Sequence, residues 1–133
     1  MAGAFSLKVV APTGEILNTQ TELVQARSET GDLAILPHHA PLIASLEIEV
    51  IKYRIDGEDK KIATSGGFME VSNNQVTILA DTAELDQGID VARAMAAKRR
   101  AEQRLESKSS DVDILRAEIA LKKALMRLLA AKK

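Results

Sequence analysis

The chain has 133 residues, 46% of them apolar but only 2% aromatic, and no cysteine. That length suits one ordinary domain, or a compact core with a small appendage, with a core built from Val, Ile, Leu and Ala. The missing cysteine excludes disulfides and thiolate metal sites, and the net charge of −1 hides an acidic body (6 Lys+Arg against 13 Asp+Glu in residues 1–86) and a basic tail (12 against 6 in 87–133).

The N-terminus lacks a basic region followed by an apolar run, so no signal peptide is expected. No apolar stretch approaches the roughly 20 residues that span a bilayer. The expected location is cytosolic or peripheral to something larger. The opposed charges suggest a tail that docks on its own body, on an acidic partner or around an anion.

Phe5 to Val10 alternates apolar with small or polar residues and ends at Pro12-Thr13-Gly14, which reads as a strand and a turn. Glu15 to Ser28 is again strand-like, with β-favouring Ile16, Thr19, Thr21 and Val24. Asp32 to Leu36 is short and apolar. Leu46 to Arg54 is the clearest strand, with its charges expected mostly on one side. Asp56-Gly57 signals a hairpin turn, with Lys61 to Thr64 as the return. Gly66-Gly67 is expected to break that strand before Phe68 to Val71. Asn73-Asn74 makes a second turn, and Gln75 to Ala80 closes the series. Many short strands with turn residues between them predict a β-sandwich or a flattened barrel. No nucleophile with its base and no metal-ligand cluster is visible, because the two histidines, His38 and His39, are adjacent and lack an acidic partner in fixed register.

Ala83 to Ala94 is the pivot between strand and helix. Asp90 is placed to cap a helix running to about Glu106. Ser107 to Asp111 reads as a turn, and Ser110 with Asp113 has a capping-box spacing ahead of a second helix reaching toward Ala131. Ile114, Ala117, Leu121, Ala124, Leu128 and Ala131 form a 3,4 seam, and Ala94, Ala97 and Ala101 a small-residue face to meet it. Alanine permits close approach but buries little area, so the hairpin needs a sheet, a ligand or a partner to hold it.

Arg93, Arg100 and Arg104 share one face of the first helix, and Arg116, Lys123 and Arg127 one face of the second. Three readings follow: a solvated cationic face, a surface for nucleic-acid backbone that lacks aromatic stacking residues, or an unconventional polyphosphate site with no Gly-rich loop.

Gly31 to Leu42 (GDLAILPHHAPL), Ser65 to Val71 (SGGFMEV) and Val76 to Asp81 (VTILAD), in that order, resemble the epsilon subunit of bacterial F-type ATP synthase, particularly Bacillus-like members. The resemblance covers nearly the whole chain. It implies an α+β protein by segments: a sandwich of about ten strands over residues 1–86 that binds the central stalk, then a regulatory antiparallel two-helix hairpin over 87–133. It implies a non-catalytic subunit at the cytoplasmic face of the cell membrane, with the gamma subunit and c-ring as partners and Asp32, His38 and His39 near the stalk or ring. The extended hairpin of the family reaches the alpha and beta subunits and blocks ATP hydrolysis.

Some members bind ATP with the hairpin folded down, through a motif that Ile89-Asp90-Val91-Ala92-Arg93-Ala94 matches in full. Carried over residue by residue, the ATP set is Glu84, Ile89, Asp90, Arg93, Ala94, Arg100, Lys123 and Arg127, with Arg104, Arg116 and Lys122 as accessory or inhibitory cations. Lys123 departs from arginine there, which keeps charge but loses the bidentate fork. ATP is then a regulatory ligand, without an evident need for magnesium and without a metal site. The alternatives are a purely structural rotor subunit with a vestigial nucleotide motif, and a basic-helix nucleic-acid binder.

Overall fold

The computed structural model describes residues 3–107 and 114–131. The elements run β1 (Phe5–Ala11), β2 (Gly14–Thr21), β3 (Leu23–Ser28), β4 (Gly31–Ile35), β5 (Leu42–Ile55), β6 (Glu58–Ser72), β7 (Gln75–Ala80), β8 (Ala83–Leu85), α1 (Val91–Glu106) and α2 (Ile114–Ala131). The strands are ordered β2-β1-β7-β6-β5-β3-β4, with β8 added to β6. All pairings are antiparallel except β1 with β7.

The described strands number eight, not about ten. The difference lies in β5 and β6, which are 14 and 15 residues long and pair with two and three neighbours respectively. The first half of β6 pairs with β8 and the second half with β7. Gly66-Gly67 therefore does not break the strand. Both glycines have positive φ, 105° and 142°, and they let one strand bend through the sheet while its buried set changes parity from Ile62 to Met69 and Val71. At Gly67 a Cβ would collide with the Leu79 carbonyl, so glycine is required twice over.

The two hairpin signals fold as read. Asp56 (φ 51°) with Gly57 (φ 76°), and Asn73 (φ 50°) with Asn74 (φ 59°), occupy the left-handed region that two-residue hairpin turns need. Phe5, Leu7 and Val9 of β1, Val24 of β3, Ile35 of β4, Ile51 and Tyr53 of β5, Ile62 and Met69 of β6 and Ile78 of β7 form one core. With a single Tyr and two Phe in the whole chain, aliphatic side chains fill it. Glu49 is the departure from the expected alternation, because it is a charged residue buried within β5, where its carboxyl accepts the Arg27 backbone N–H.

Asp90 caps α1 as expected, its Oδ1 accepting from the Arg93 N–H at 3.0 Å. Ser107 closes that helix with its own N–H donating to the Gln103 carbonyl at 3.0 Å. The Ser110–Asp113 spacing lies outside the described residues. Ala94 and Ala101 are buried on α1, and Ala117 and Ala124 on α2, so the small-residue faces meet. Ile114, at the start of the seam, is 55% exposed instead. The end of α2 rests on the sheet, where Ala130 packs with Ala63 and Ile89, flanked by Val50 and Ala131. The hairpin is folded down. Among the described residues no helix is long and apolar enough to cross a membrane.

Candidate functional site

Three elements converge on one cleft of about 540 Å³. β8 supplies Glu84, α1 supplies Arg93 and Ala97, and α2 supplies Lys123, Ala124 and Arg127, with Thr64, Ser65 and Thr82 on the sheet wall. The alanines matter here: small side chains on facing helices leave room that leucines would fill.

Arg127 is the most constrained cation of the set. Its Nη2 donates to Glu84 Oε2 at 3.2 Å, and its Nε lies 2.7 Å from Glu84 Oε1. The short contact lies off the Nε–H direction, so the bond from Nη2 is the directed one. Arg93 is exposed and lines the cleft mouth, as does Lys123. A cleft with two exposed cations, one ion-paired arginine, two carboxylates (Asp81 and Glu84) and four hydroxyls (Thr13 besides the three above) has donors for phosphate oxygens and acceptors for a sugar hydroxyl or base amine.

The structure gathers Glu84, Arg93, Lys123 and Arg127 and gives other expected residues different work. Ile89 is buried beneath α2, Ala94 is buried between the helices, and Asp90 serves the helix cap. Arg100 does not line the cleft; it lies two turns beyond Arg93, roughly 10 Å along α1. Arg104 and Arg116 are exposed further along the hairpin. Lys122 faces a second cleft on the other side of α2, together with Asp32. Asp32 is tied to Arg27 at 2.9 Å. In the loop after β4, His38 has φ 64° and its N–H donates to Asn74 Oδ1 at 2.8 Å, while His39 Nδ1 lies 2.7 Å from the Ala40 carbonyl.

One surface escaped the reading of the sequence. Phe68 sits between Ser45 and Leu79 across β5-β6-β7, and Ile43 lies two residues from Ser45 on the same face. Ile43, Phe68 and Leu79 are 73%, 58% and 56% exposed, an apolar patch on a sheet whose other face is the core. Adjacent exposed apolar groups on one face of a sheet mark a contact surface. Strand pairing was needed to see it, because the three lie far apart in sequence.

The family model described as "ATP synthase, Delta/Epsilon chain, beta-sandwich domain" matches residues 4–86, and "ATP synthase, Delta/Epsilon chain, long alpha-helix domain" matches residues 87–132. An "ATP synthase epsilon chain" of Desulfitobacterium hafniense is 53% identical over 132 residues, covering 99% of each chain. That of Bacillus licheniformis is 48% identical over 122 residues, covering 92% of this chain and 93% of its own. A chain in the Euglena gracilis mitochondrial ATP synthase (OSCP/F1/c-ring) superposes with a TM-score of 0.76 at 25% identity, covering 94% of this chain and 79% of that one. A chain in the Tetrahymena thermophila mitochondrial central stalk and c-ring shares the fold, with a TM-score of 0.60, 18% identity and 96% of each chain covered.

The chain belongs to the ATP synthase delta/epsilon chain family. Within that family it is of the bacterial epsilon type, a non-catalytic subunit of the central stalk.

Proposed function

We propose that the protein couples the rotor and senses ATP: ATP in the β8–α1–α2 cleft holds the hairpin down, and loss of ATP lets the hairpin extend and block ATP hydrolysis. One observation carries this reading. The cleft is walled by three elements that separate if the hairpin opens, so a ligand touching Glu84, Arg93 and Arg127 favours the closed form. Ligand at 100 times its Kd would favour that form by ~2.7 kcal/mol if it bound only there. Arginine forks suit phosphate oxygens, and Glu84 suits the nucleoside end. Arg100, Arg104, Arg116 and Lys122 then serve as outlying cations, toward the phosphates or toward acidic surfaces of the alpha and beta subunits in the extended state. No metal is needed for the closed mode.

The sandwich is the anchor. The Ile43–Phe68–Leu79 patch suits the gamma subunit, and the loop carrying His38 and His39, with Asp32 nearby in the chain, suits the c-ring. Both fit a peripheral position at the cytoplasmic face of the membrane. Calorimetric titration of the whole chain with ATP, beside Arg93→Ala, tests the sensing half. Saturable binding that Arg93→Ala loses supports it; no heat at several-millimolar ATP overturns it.

A second reading has its own observation. Arg127 and Glu84 pair directly across the hairpin–sheet boundary, so contacts within the chain can tie the hairpin down and the nucleotide motif can be vestigial. That reading leaves a purely structural rotor subunit, and the same titration separates the two.

A further inference from the structure

The second cleft, of about 590 Å³, opens between α2 and the outer side of β3, β4 and β5. The β3–β5 ladder is interrupted at its floor. Gln25 pairs with Lys52 and Ser28 with Leu46, so the long stretch Leu46 to Lys52 spans only Gln25 to Ser28. In that gap the Glu49 carboxyl accepts the Arg27 backbone N–H through Oε1 and replaces the missing strand acceptor. Its other oxygen, Oε2, is buried and has no hydrogen-bond partner among the described residues. The whole residue is 6% exposed.

Charged groups of both signs surround it. From β3, the Arg27 guanidinium is turned to Asp32 of β4 at 2.9 Å. From β5, Glu47 adds like charge and Lys52 lies on the exposed rim. From β6 comes Lys61, and from α2 comes Lys122, exposed at the cleft edge beside Met126 and Leu129. A carboxylate held this way loses more by burial than the Arg27 N–H bond and charge return, which favours its neutral form.

We infer that Glu49 makes hairpin docking sensitive to proton concentration: α2 walls the cleft that Glu49 floors, so the docked hairpin favours the protonated carboxyl and the extended hairpin the ionised one. This inference rests on the reading that the hairpin can leave the sheet. Burial pushes the Glu49 carboxyl up to about 7, against the Arg27 N–H bond and with help from Glu47. The sign follows. Docking that raises the carboxyl's affinity for protons is favoured at low pH and weakens as pH rises through that value. Acidification closes the hairpin and alkalinisation loosens it, in the pH window of a living cell.

The whole chain has no native cysteine, so dyes at Glu58→Cys on the sheet and Gln103→Cys on α1, both exposed, report the distance. Without ATP, the closed-to-open ratio should fall at least about threefold from about pH 6 to about pH 8. Glu49→Gln should flatten that dependence, while His38→Asn/His39→Gln, which removes the two histidines, should leave it intact. A flat wild type, a pH response retained in Glu49→Gln, or one abolished by the histidine change overturns the inference. Because Glu49 also completes the β3–β5 ladder, the wild-type Glu49 side-chain carbon is titrated by NMR as an independent measure. A midpoint in the ordinary carboxylate range overturns the inference, and one near neutrality that tracks the distance change supports it. An ATP-dependent distance change without a pH response would sink the pH coupling alone. A distance that answers neither ATP nor pH would sink the opening hairpin as well.

Discussion

Arg127 on α2 and Glu84 on β8 are joined across the hairpin–sheet boundary, with Nε 2.7 Å from Oε1 and Nη2 3.2 Å from Oε2. The pair links the acidic body to the basic tail, at a point where both side chains are largely shielded (20% and 35% exposed). It is a latch made from two residues, outside the Ile89–Ala94 motif, that the proposed function places around the nucleotide.

Glu84→Gln removes the charge and keeps the shape. Partial burial places the pair above the surface median yet well below a deeply buried one, so the docked hairpin should lose about 0.5–1.5 kcal/mol. Amide hydrogen exchange in α2 without ATP would show this as faster exchange there, with the β1 and β7 core unchanged. Equal protection in both proteins would refute the latch.

Lys123 lines the cleft as a point charge where a fork would grip better. Lys123→Arg should therefore tighten ATP binding by about threefold to tenfold in calorimetry at fixed salt. An unchanged or weaker affinity would place Lys123 away from the phosphates.

Gly67 meets the Leu79 carbonyl and the Ala80 Cα and has φ +142°. Alanine there adds a backbone collision to a conformation that L residues rarely adopt. Gly67→Ala should cost about 2–4 kcal/mol, read from the urea midpoint. Gly57→Ala, which meets no such neighbour but keeps a positive φ of 76°, should cost only about 1 kcal/mol.

Glu49 gives a pH signature of its own. Its ordinary value is 4.5 and the fold raises it to about 7, so folding takes up a proton between those values. Its contribution is fully present below about pH 4.5 and is lost as pH rises to about 7, where ionisation burdens the fold. Glu49→Gln should match wild type in thermal unfolding at about pH 5 and exceed it by about 1–2 kcal/mol at about pH 8, after allowance for screening. Equal stability at both pH values would show that the carboxyl is solvated.

The patch prediction concerns assembly. Ile43→Ser/Phe68→Ser should leave the thermal midpoint of the isolated chain nearly unchanged, because both side chains are exposed. Retention in purified ATP synthase should fall at least about tenfold. Full retention would move the stalk contact elsewhere.

Much of this was legible in the sequence, for physical reasons that differ by element. The turns at Asp56-Gly57 and Asn73-Asn74 announced themselves because few residues tolerate positive φ. The Asp90 cap was visible because its bonding partner, the Arg93 N–H, lies within one turn. Gly66-Gly67 misled because the same residue type that ends a strand also lets a paired strand bend. Glu49 was hidden because period-two alternation cannot show a bulge in the neighbouring ladder. The cleft was only half visible: the motif named Arg93, but α1 geometry keeps Arg100 off the cleft wall, and which face Lys122 takes is set by how α2 lies on Val50 and Ala63.

The parallel pairing of β1 with β7 has a consequence for how the molecule is made. Ser6 sits opposite Gln75 and Val10 opposite Leu79, so β1 leaves the ribosome well before β7 and waits for nearly the whole sandwich before its second edge is filled. Such distant contacts slow the search for the native topology. The helices, which follow in synthesis, meet a sheet completed only shortly before, and their alanine-rich underside adheres to it as a late arrival. On the proposed reading, an element added after the sheet and held by small contacts is also the one to be taken off again without disturbing what lies beneath.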